Sequence, residues 1–398
     1  MGVFIDNLRS GAWVTAERVR SYAGIVFALS FFAIAALLAT SNGLNDYQHR
    51  PLGTDFSNVY AAGKYALEGK PDAPFSPPRL YEKEQSIFGA DTPFYGWCYP
   101  PVFLALAALL ALLPYFAALA AWQLATLPLY LWNVLAIVRE PRAFLPALAF
   151  PAAFINLAHG QNGFLTAALL GGGMLLLDRT PTLAGVLLGL LVYKPQFGLL
   201  VPLVLAVSAR WRVFWTAAAT VIVICGATYL AYGGGVWDAF RESLTFTRTV
   251  VLEEGGTGFY KIQSPFAAVR LWGGPVVLAY AAQAIVALAV AFFLVRIWRN
   301  ESALPFKAAA LIAGAVLVTP YSLDYDLVVM GPAIAFLAAY GLKRGFLPYE
   351  KSALAFCWLA PLITRFLAQY IGLPLGLIAL LILFALAYRR AVAEGTAG

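Results

Sequence analysis

Charge is scarce in this chain: Lys, Arg, Asp and Glu make up 12% of its 398 residues, about half the share of a soluble domain. So few charged groups cannot cover a surface in water, and a water-soluble domain is excluded. Short segments of alternating hydrophobicity are absent, which excludes a transmembrane barrel. The three cysteines, Cys98, Cys225 and Cys357, lie far apart and show no metal-ligand spacing. Cys225 and Cys357 fall in apolar blocks and read as core residues. There is no zinc motif, Walker loop, GxSxG elbow or Rossmann fingerprint, so soluble nucleotide chemistry is excluded and no metal or cofactor is expected. No nucleic-acid-binding motif occurs. The net charge of +7 and pI near 9.2 read as basic cytoplasmic loops, with no nucleic-acid partner. No small-residue cleavage site cleanly follows the first apolar run, so no cleaved signal peptide is expected.

Apolar sequence is what the chain has in abundance, at 61%. It falls into thirteen runs, at about 22–40, 100–113, 115–138, 143–158, 163–178, 181–193, 195–208, 212–232, 275–297, 305–319, 326–341, 352–367 and 372–388. Most span or nearly span a bilayer. The expected fold is an all-α polytopic membrane protein of about 11–13 transmembrane helices. One membrane domain fills 1–398: a first helix at 21–40, an outer loop at 41–99, a core bundle at 100–232, a second outer loop at 233–274 and C-terminal helices at 275–388.

The longest polar interval follows the first run and contains the stretch Thr54 to Pro101. At its head stands Asp55, followed by Phe56, Val59, Tyr60, Gly63 and Leu67 at the spacing of one helix face. That spacing predicts an amphipathic helix lying along a membrane surface. A second helical patch covers Leu80 to Phe88, and Pro71, Pro74, Pro77 and Pro78 separate the two. An aspartate before a helix commonly caps it, and spacing alone does not elect Asp55 over the loop's other acids. The block closes on Trp97, Tyr99, Pro100 and Pro101.

Basic turns at Arg139–Arg142, Asp178-Arg179, Arg210–Arg212, Arg296–Arg299, Lys343-Arg344 and Arg389-Arg390 alternate with weakly charged ones, if the N-terminus is cytoplasmic. The weakly charged turns then share the outer side with Asp55, as for a site on that face. Residues 99–138 break the alternation: they hold two apolar runs where an odd number of crossings is needed. Either one run dips in without crossing, or the Arg139–Arg142 turn departs from the rule.

Several turns carry possible chemistry. Lys194, before the helix-breaking Pro195, is costly at membrane depth. It reads as a cation for a phosphate, or as a turn lysine snorkelling to a headgroup. Gln161 and Asn162 suit sugar hydroxyls or a helical hairpin. His159 suits a proton carrier or a hydrogen-bonded bystander. Asp324 and Asp326 have the spacing to bridge a metal and phosphate oxygens, though acids also cap helices. Tyr60, Tyr65, Trp97 and Tyr99 suit an interface belt or a face for sugar rings.

These pieces, in this order, resemble the integral-membrane glycosyltransferases of the GT-C superfamily, and within it glycosyltransferase family 87, the polyprenyl-phosphate-mannose-dependent mannosyltransferase-like group. The resemblance rests on Asp55-Phe56 with Tyr60-Ala61-Ala62-Gly63, Trp97-Cys98-Tyr99-Pro100-Pro101, Gly160-Gln161-Asn162, Ala184-Gly185 with Tyr193-Lys194-Pro195, and Thr319-Pro320-Tyr321-Ser322, and it weakens after about residue 340. It implies a GT-C helical bundle with outer-surface helices. It also implies a polyprenyl-phosphate sugar donor, usually mannose, and a lipid-linked or envelope glycan acceptor. Asp55 would be the general base of an inverting transfer. Lys194 would hold the donor phosphate, with Lys64 or Arg270 as further candidates. Gln161, Asn162, Tyr60, Tyr99 and Tyr321 would line the site. The expected location is a bacterial inner membrane, with the site facing outward and membrane lipid around it. The rival reading is a transporter or flippase for a lipid-linked sugar. That class commonly shows inverted repeats, and no internal repeat is visible. An O-antigen ligase or polymerase would carry its large loop late in the chain; here the largest is first.

Overall fold

The computed structural model describes residues 2–395. Helices joined by tight turns make up the chain, and among the described residues there is no β-strand beyond isolated bridges such as Ile262 with Leu323. All thirteen apolar runs are helical. Six single helices are long and apolar enough to cross a bilayer, and two bent pairs, Pro141–Leu148 with Pro151–His159 and Glu350–Leu362 with Thr364–Ile371, bring the count to eight. The other five apolar helices have 10–17 residues. Full crossings are therefore fewer than apolar runs.

Length and position are related. The long helices Ala16–Ala39, Trp211–Tyr232 and Val276–Arg299 bury 17% or less of their apolar windows. They form the lipid-facing exterior. The short Gly163–Leu176 and Leu304–Leu317 are apolar on every face, Lys307 in the first turn of the second excepted, and are mostly buried, as a helix inside a bundle must be. The same distinction bears on 99–138. Pro101–Ala111 has only 11 residues, roughly 16 Å of rise against a core of about 30 Å. Tyr115–Val138 alone is long enough to cross. These lengths fit the first of the two alternatives, with a first run too short to cross by itself.

The first loop, at 41–99, contains both expected helices, with one correction. Phe56–Leu67 does not float on a surface by one face. Ser57, Asn58, Ala61 and Ala62 are as buried as Phe56 and Tyr60, while Leu67 is exposed. The cause is close packing against Leu104–Ala111. A Cβ on Gly63 would sit 2.1 Å from the carbonyl oxygen of Ala107, so glycine lets the two backbones touch. Gly63→Ala should therefore destabilise the protein by about 1–3 kcal/mol, read as a lowered melting temperature in detergent. The second helix begins earlier than its apolar pattern, at Pro77. Pro77 and Pro78 occupy its first turn, where no N–H is missed.

Two polar ends result. At one, the backbone N–H of Tyr349 donates to Arg9 O at 2.7 Å, the Trp13 indole donates to Ser352 at 2.8 Å, and Arg390 is paired with Glu350. At the other, the first loop, the 159–162 turn, Lys194 and the 319–326 turn meet.

Candidate active site

Asp55 occupies the N-cap position of Phe56–Leu67, yet its side chain makes no capping hydrogen bond. Its Oδ2 instead accepts from Gln161 Nε2 at 2.8 Å. Asp55 is only partly buried, and Oδ1 has no partner among the described residues. One oxygen is held and the other is open.

The 159–162 turn is built to receive this carboxylate. The backbone N–H of Asp55 donates to His159 O at 3.1 Å, and the Thr54 hydroxyl lies 2.6 Å from His159 Nδ1. Gly160 adopts φ +62°, and a Cβ there would meet that of Phe56 at 2.6 Å, so only glycine fits this left-handed turn. Asn156 closes the turn from beneath, donating to Gln161 O at 3.1 Å and accepting from Gly163 N at 2.8 Å. Gln161 is fixed on its other side by the Tyr99 hydroxyl, which donates to Oε1 at 3.1 Å. Burial first, then the charge of Asp55, raises the Tyr99 phenol well above its usual range. It therefore remains a donor. Tyr99 belongs to a ring stack with Trp97, Phe103 and Tyr193. The buried indole N–H of Trp97 has no partner among the described residues.

Two ion pairs complete the cluster. Lys194 lies between the short helices Leu190–Tyr193 and Pro195–Phe197, so Pro195 does break the helix. Lys194 is 5% exposed, donating to Asp326 Oδ1 at 2.6 Å and to Asn162 Oδ1 at 3.0 Å. The snorkelling alternative is thereby overturned: the ammonium turns inward, drawn by a buried carboxylate. Removing one partner of such a pair strands the other charge, so Lys194→Met should cost about 3–5 kcal/mol of stability. Adding Asp326→Leu should recover most of that loss, as read by thermal unfolding.

The second pair joins Asp324 to Arg365. The Arg365 guanidinium also lies 3.2 Å from His159 Nε2. Arginine only donates, so Nε2 accepts and the imidazole proton sits on Nδ1, directed at Thr54. His159 is thus an uncharged bridge between the Asp55 loop and Arg365. The Tyr325 ring packs near both His159 and Lys194. Asp324 and Asp326 each face a cation.

Asp55, Tyr99, His159, Gln161, Asn162, Lys194, Asp324 and Asp326 therefore form one connected cluster. Five other residues singled out in the sequence stand apart, among them Tyr65, which donates to Arg79 O at 2.7 Å. Tyr60 donates to Leu113 O at 2.9 Å, with Lys64 over its ring. Arg270 donates to the carbonyls of Gly274 and Glu253. Tyr321 packs against the small apolar cluster of Leu252, Phe266 and Ala279. Sequence reasoning missed Arg365 and Thr54. Arg365 had a signal: it is the one full charge in the interior of the run at 352–367, where a charge is costly.

A polytopic helical bundle with a buried, charge-paired cluster at one end of its crossings defines a multi-pass membrane protein of the GT-C enzyme type. The family model for glycosyltransferase family 87 matches residues 97–320, more than half of the chain. The chain belongs to glycosyltransferase family 87 and is a glycosyltransferase, acting in a membrane on a sugar donor and a glycan acceptor. No curated protein and no solved structure matches it. The matched stretch contains Tyr99, His159, Gln161, Asn162 and Lys194 and stops short of Asp324. Asp55 precedes it and is joined to it through Gln161 and His159.

Proposed function

We propose that the protein transfers a sugar, mannose, from a polyprenyl-phosphate donor to a lipid-linked or envelope glycan, with inversion, on the outer face of a bacterial inner membrane. The observation that carries this reading is the Asp55 carboxylate: it declines the helix cap, is aimed by Gln161 and keeps one oxygen open. That is the arrangement of a general base. The acceptor hydroxyl gives its proton to Asp55 Oδ1 as its oxygen attacks the anomeric carbon. The bond from that carbon to the phosphate oxygen breaks, and the electron pair leaves with the polyprenyl phosphate. A phosphate leaving group needs cations and no general acid.

Arg365 suits that phosphate better than Lys194, Lys64 or Arg270. Lys194 is buried against Asp326, whereas the Arg365 side chain is 37% exposed, and two of its five N–H groups suffice for Asp324 and His159. The short helix Thr364–Ile371 that carries it also presents Phe366, Tyr370 and Ile371 outward, beside the exposed Trp272. A lipid chain lying on that face would bring its phosphate to Arg365. Gln161 and Tyr99 position the base, and the unpartnered Trp97 N–H is a ready donor to a sugar hydroxyl.

The test is purified protein in vesicles loaded with synthetic polyprenyl-phosphate mannose and an envelope lipid extract. The expected result is a new mannosylated lipid with release of polyprenyl phosphate. Movement of intact donor across the vesicle, without glycoside formation, would instead establish the flippase.

A further inference from the structure

Glu84 lies outside the cluster above and has no part in the transfer step. It is on Pro77–Phe88, fully buried, and among the described residues no lysine, arginine or histidine pairs with it. Its Oε2 accepts from the backbone N–H of Tyr95 at 3.1 Å, and its Oε1 lies 3.5 Å from the Ser57 hydroxyl. Ser57 already donates to Thr54 O at 2.7 Å. The hydroxyl's only proton is therefore committed, and its oxygen is left to accept. An ionised Glu84 would hold one good donor in a dry site, whereas a protonated one is bonded at both oxygens.

Both contacts lead to the site. Ser57 and Thr54 flank Asp55. Tyr95 lies in the irregular 92–99 stretch that ends at Tyr99, the residue that fixes Gln161. We propose that Glu84 is a positioning residue for the transfer, an uncharged acid that ties the 92–99 stretch to the head of the Asp55 helix. The proposal rests on the glycosyltransferase reading only for its consequence in turnover; the protonated latch itself does not depend on it.

The surroundings agree. Burial pushes the Glu84 carboxyl up to about 8, against partial relief from the Tyr95 N–H, and the charge of Asp55 adds a smaller upward push. The titratable groups facing it are Asp55 at the head of Phe56–Leu67, Tyr95 in the 92–99 stretch and Tyr115 on Tyr115–Val138. Arg50 and Asp46, beyond Tyr95, are paired with each other. Ionisation above about pH 8 would add a second negative charge beside Asp55, loosening the latch and repelling an anionic donor.

The experiment compares wild type, Glu84→Gln and Glu84→Ala in two readouts. In transfer assays, wild-type kcat/KM should fall above pH 8. Glu84→Gln, which keeps both hydrogen bonds without a proton to lose, should stay within about twofold of wild type at pH 7 and lose that fall. Glu84→Ala should fall about tenfold at all pH values, each tenfold being 1.36 kcal/mol in the barrier. Thermal unfolding needs no substrate. The folded chain keeps a proton that the unfolded chain releases above about 4.5, so wild-type stability relative to Glu84→Gln should decline from about pH 4.5 to pH 8 and then level off. A flat difference over that range would overturn the proposal. So would Glu84→Gln being as impaired as Glu84→Ala. A declining stability difference without transfer from any lipid-phosphate sugar would uphold the latch and reject the glycosyl donor.

Discussion

Asp55→Asn should lower kcat for sugar transfer by about 10³-fold, the scale of a lost general base, with folding and melting temperature unchanged. The substitution is nearly isosteric. The carbonyl oxygen of the new amide can still accept from Gln161, and the backbone bond to His159 O does not involve the side chain. The amide nitrogen that replaces Oδ1 has no basic lone pair, so the acceptor hydroxyl keeps its proton. Stability should not suffer because the native carboxylate makes no cap bond to lose. A mere cap would leave transfer intact in Asp55→Asn, because Asn caps as well as Asp, and would show itself instead as a loss of about 1 kcal/mol in the stability of Asp55→Ala. Steady-state transfer and thermal unfolding on one preparation separate the two.

Arg365→Lys should lower kcat by about 10²-fold while the protein stays folded, and Arg365→Met should cost more in both respects. The argument is geometric. Guanidinium bonds Asp324 and His159 simultaneously and retains N–H groups for a phosphate; an ammonium cannot cover that planar fork. Removing one preorganised donor from developing charge costs about 10²–10³-fold. Arg365→Met also strands the fully buried Asp324, so its loss mixes stability with catalysis. Pairing it with Asp324→Asn removes that charge. The double variant should melt near wild type and remain inactive. Recovery of transfer in the double variant would confine Arg365 to holding the fold together.

The sequence and structure agree where one physical signal dominates. Apolar runs can only be helices in a bilayer, so every run was legible. What hydrophobicity could not reveal was length: whether a run reaches lipid depends on its neighbours, and Leu304–Leu317 is surrounded by protein. Helix Phe56–Leu67 shows the same limit. Its spacing marks one apolar face, but Gly63 admits Ala107 so closely that the polar face is buried too.

The site was legible in pieces. The Gly160-Gln161-Asn162 turn, Lys194 with Pro195, and the acids of the 319–326 turn stood out as polar residues amid apolar ones, and they meet. Their pairing was not legible, because Lys194 and Asp326 are separated by 132 residues and nothing local couples them. Tyr60 and Tyr321 show the converse: aromatics near a site in sequence, with side chains spent elsewhere in packing. Arg365 stood out as a lone charge in its run, but nothing local ties it to Asp324 or His159.

The account turns on a single displacement with Asp55 as the only base. The most direct test is the anomeric configuration of the product, read by proton NMR after turnover of an α- or β-configured polyprenyl-phosphate sugar by the purified enzyme. The account requires the opposite configuration from the donor in each case that reacts. Retention would contradict it, because the attacking oxygen would then have replaced some intermediate, and Asp55 acting as base alone cannot provide one.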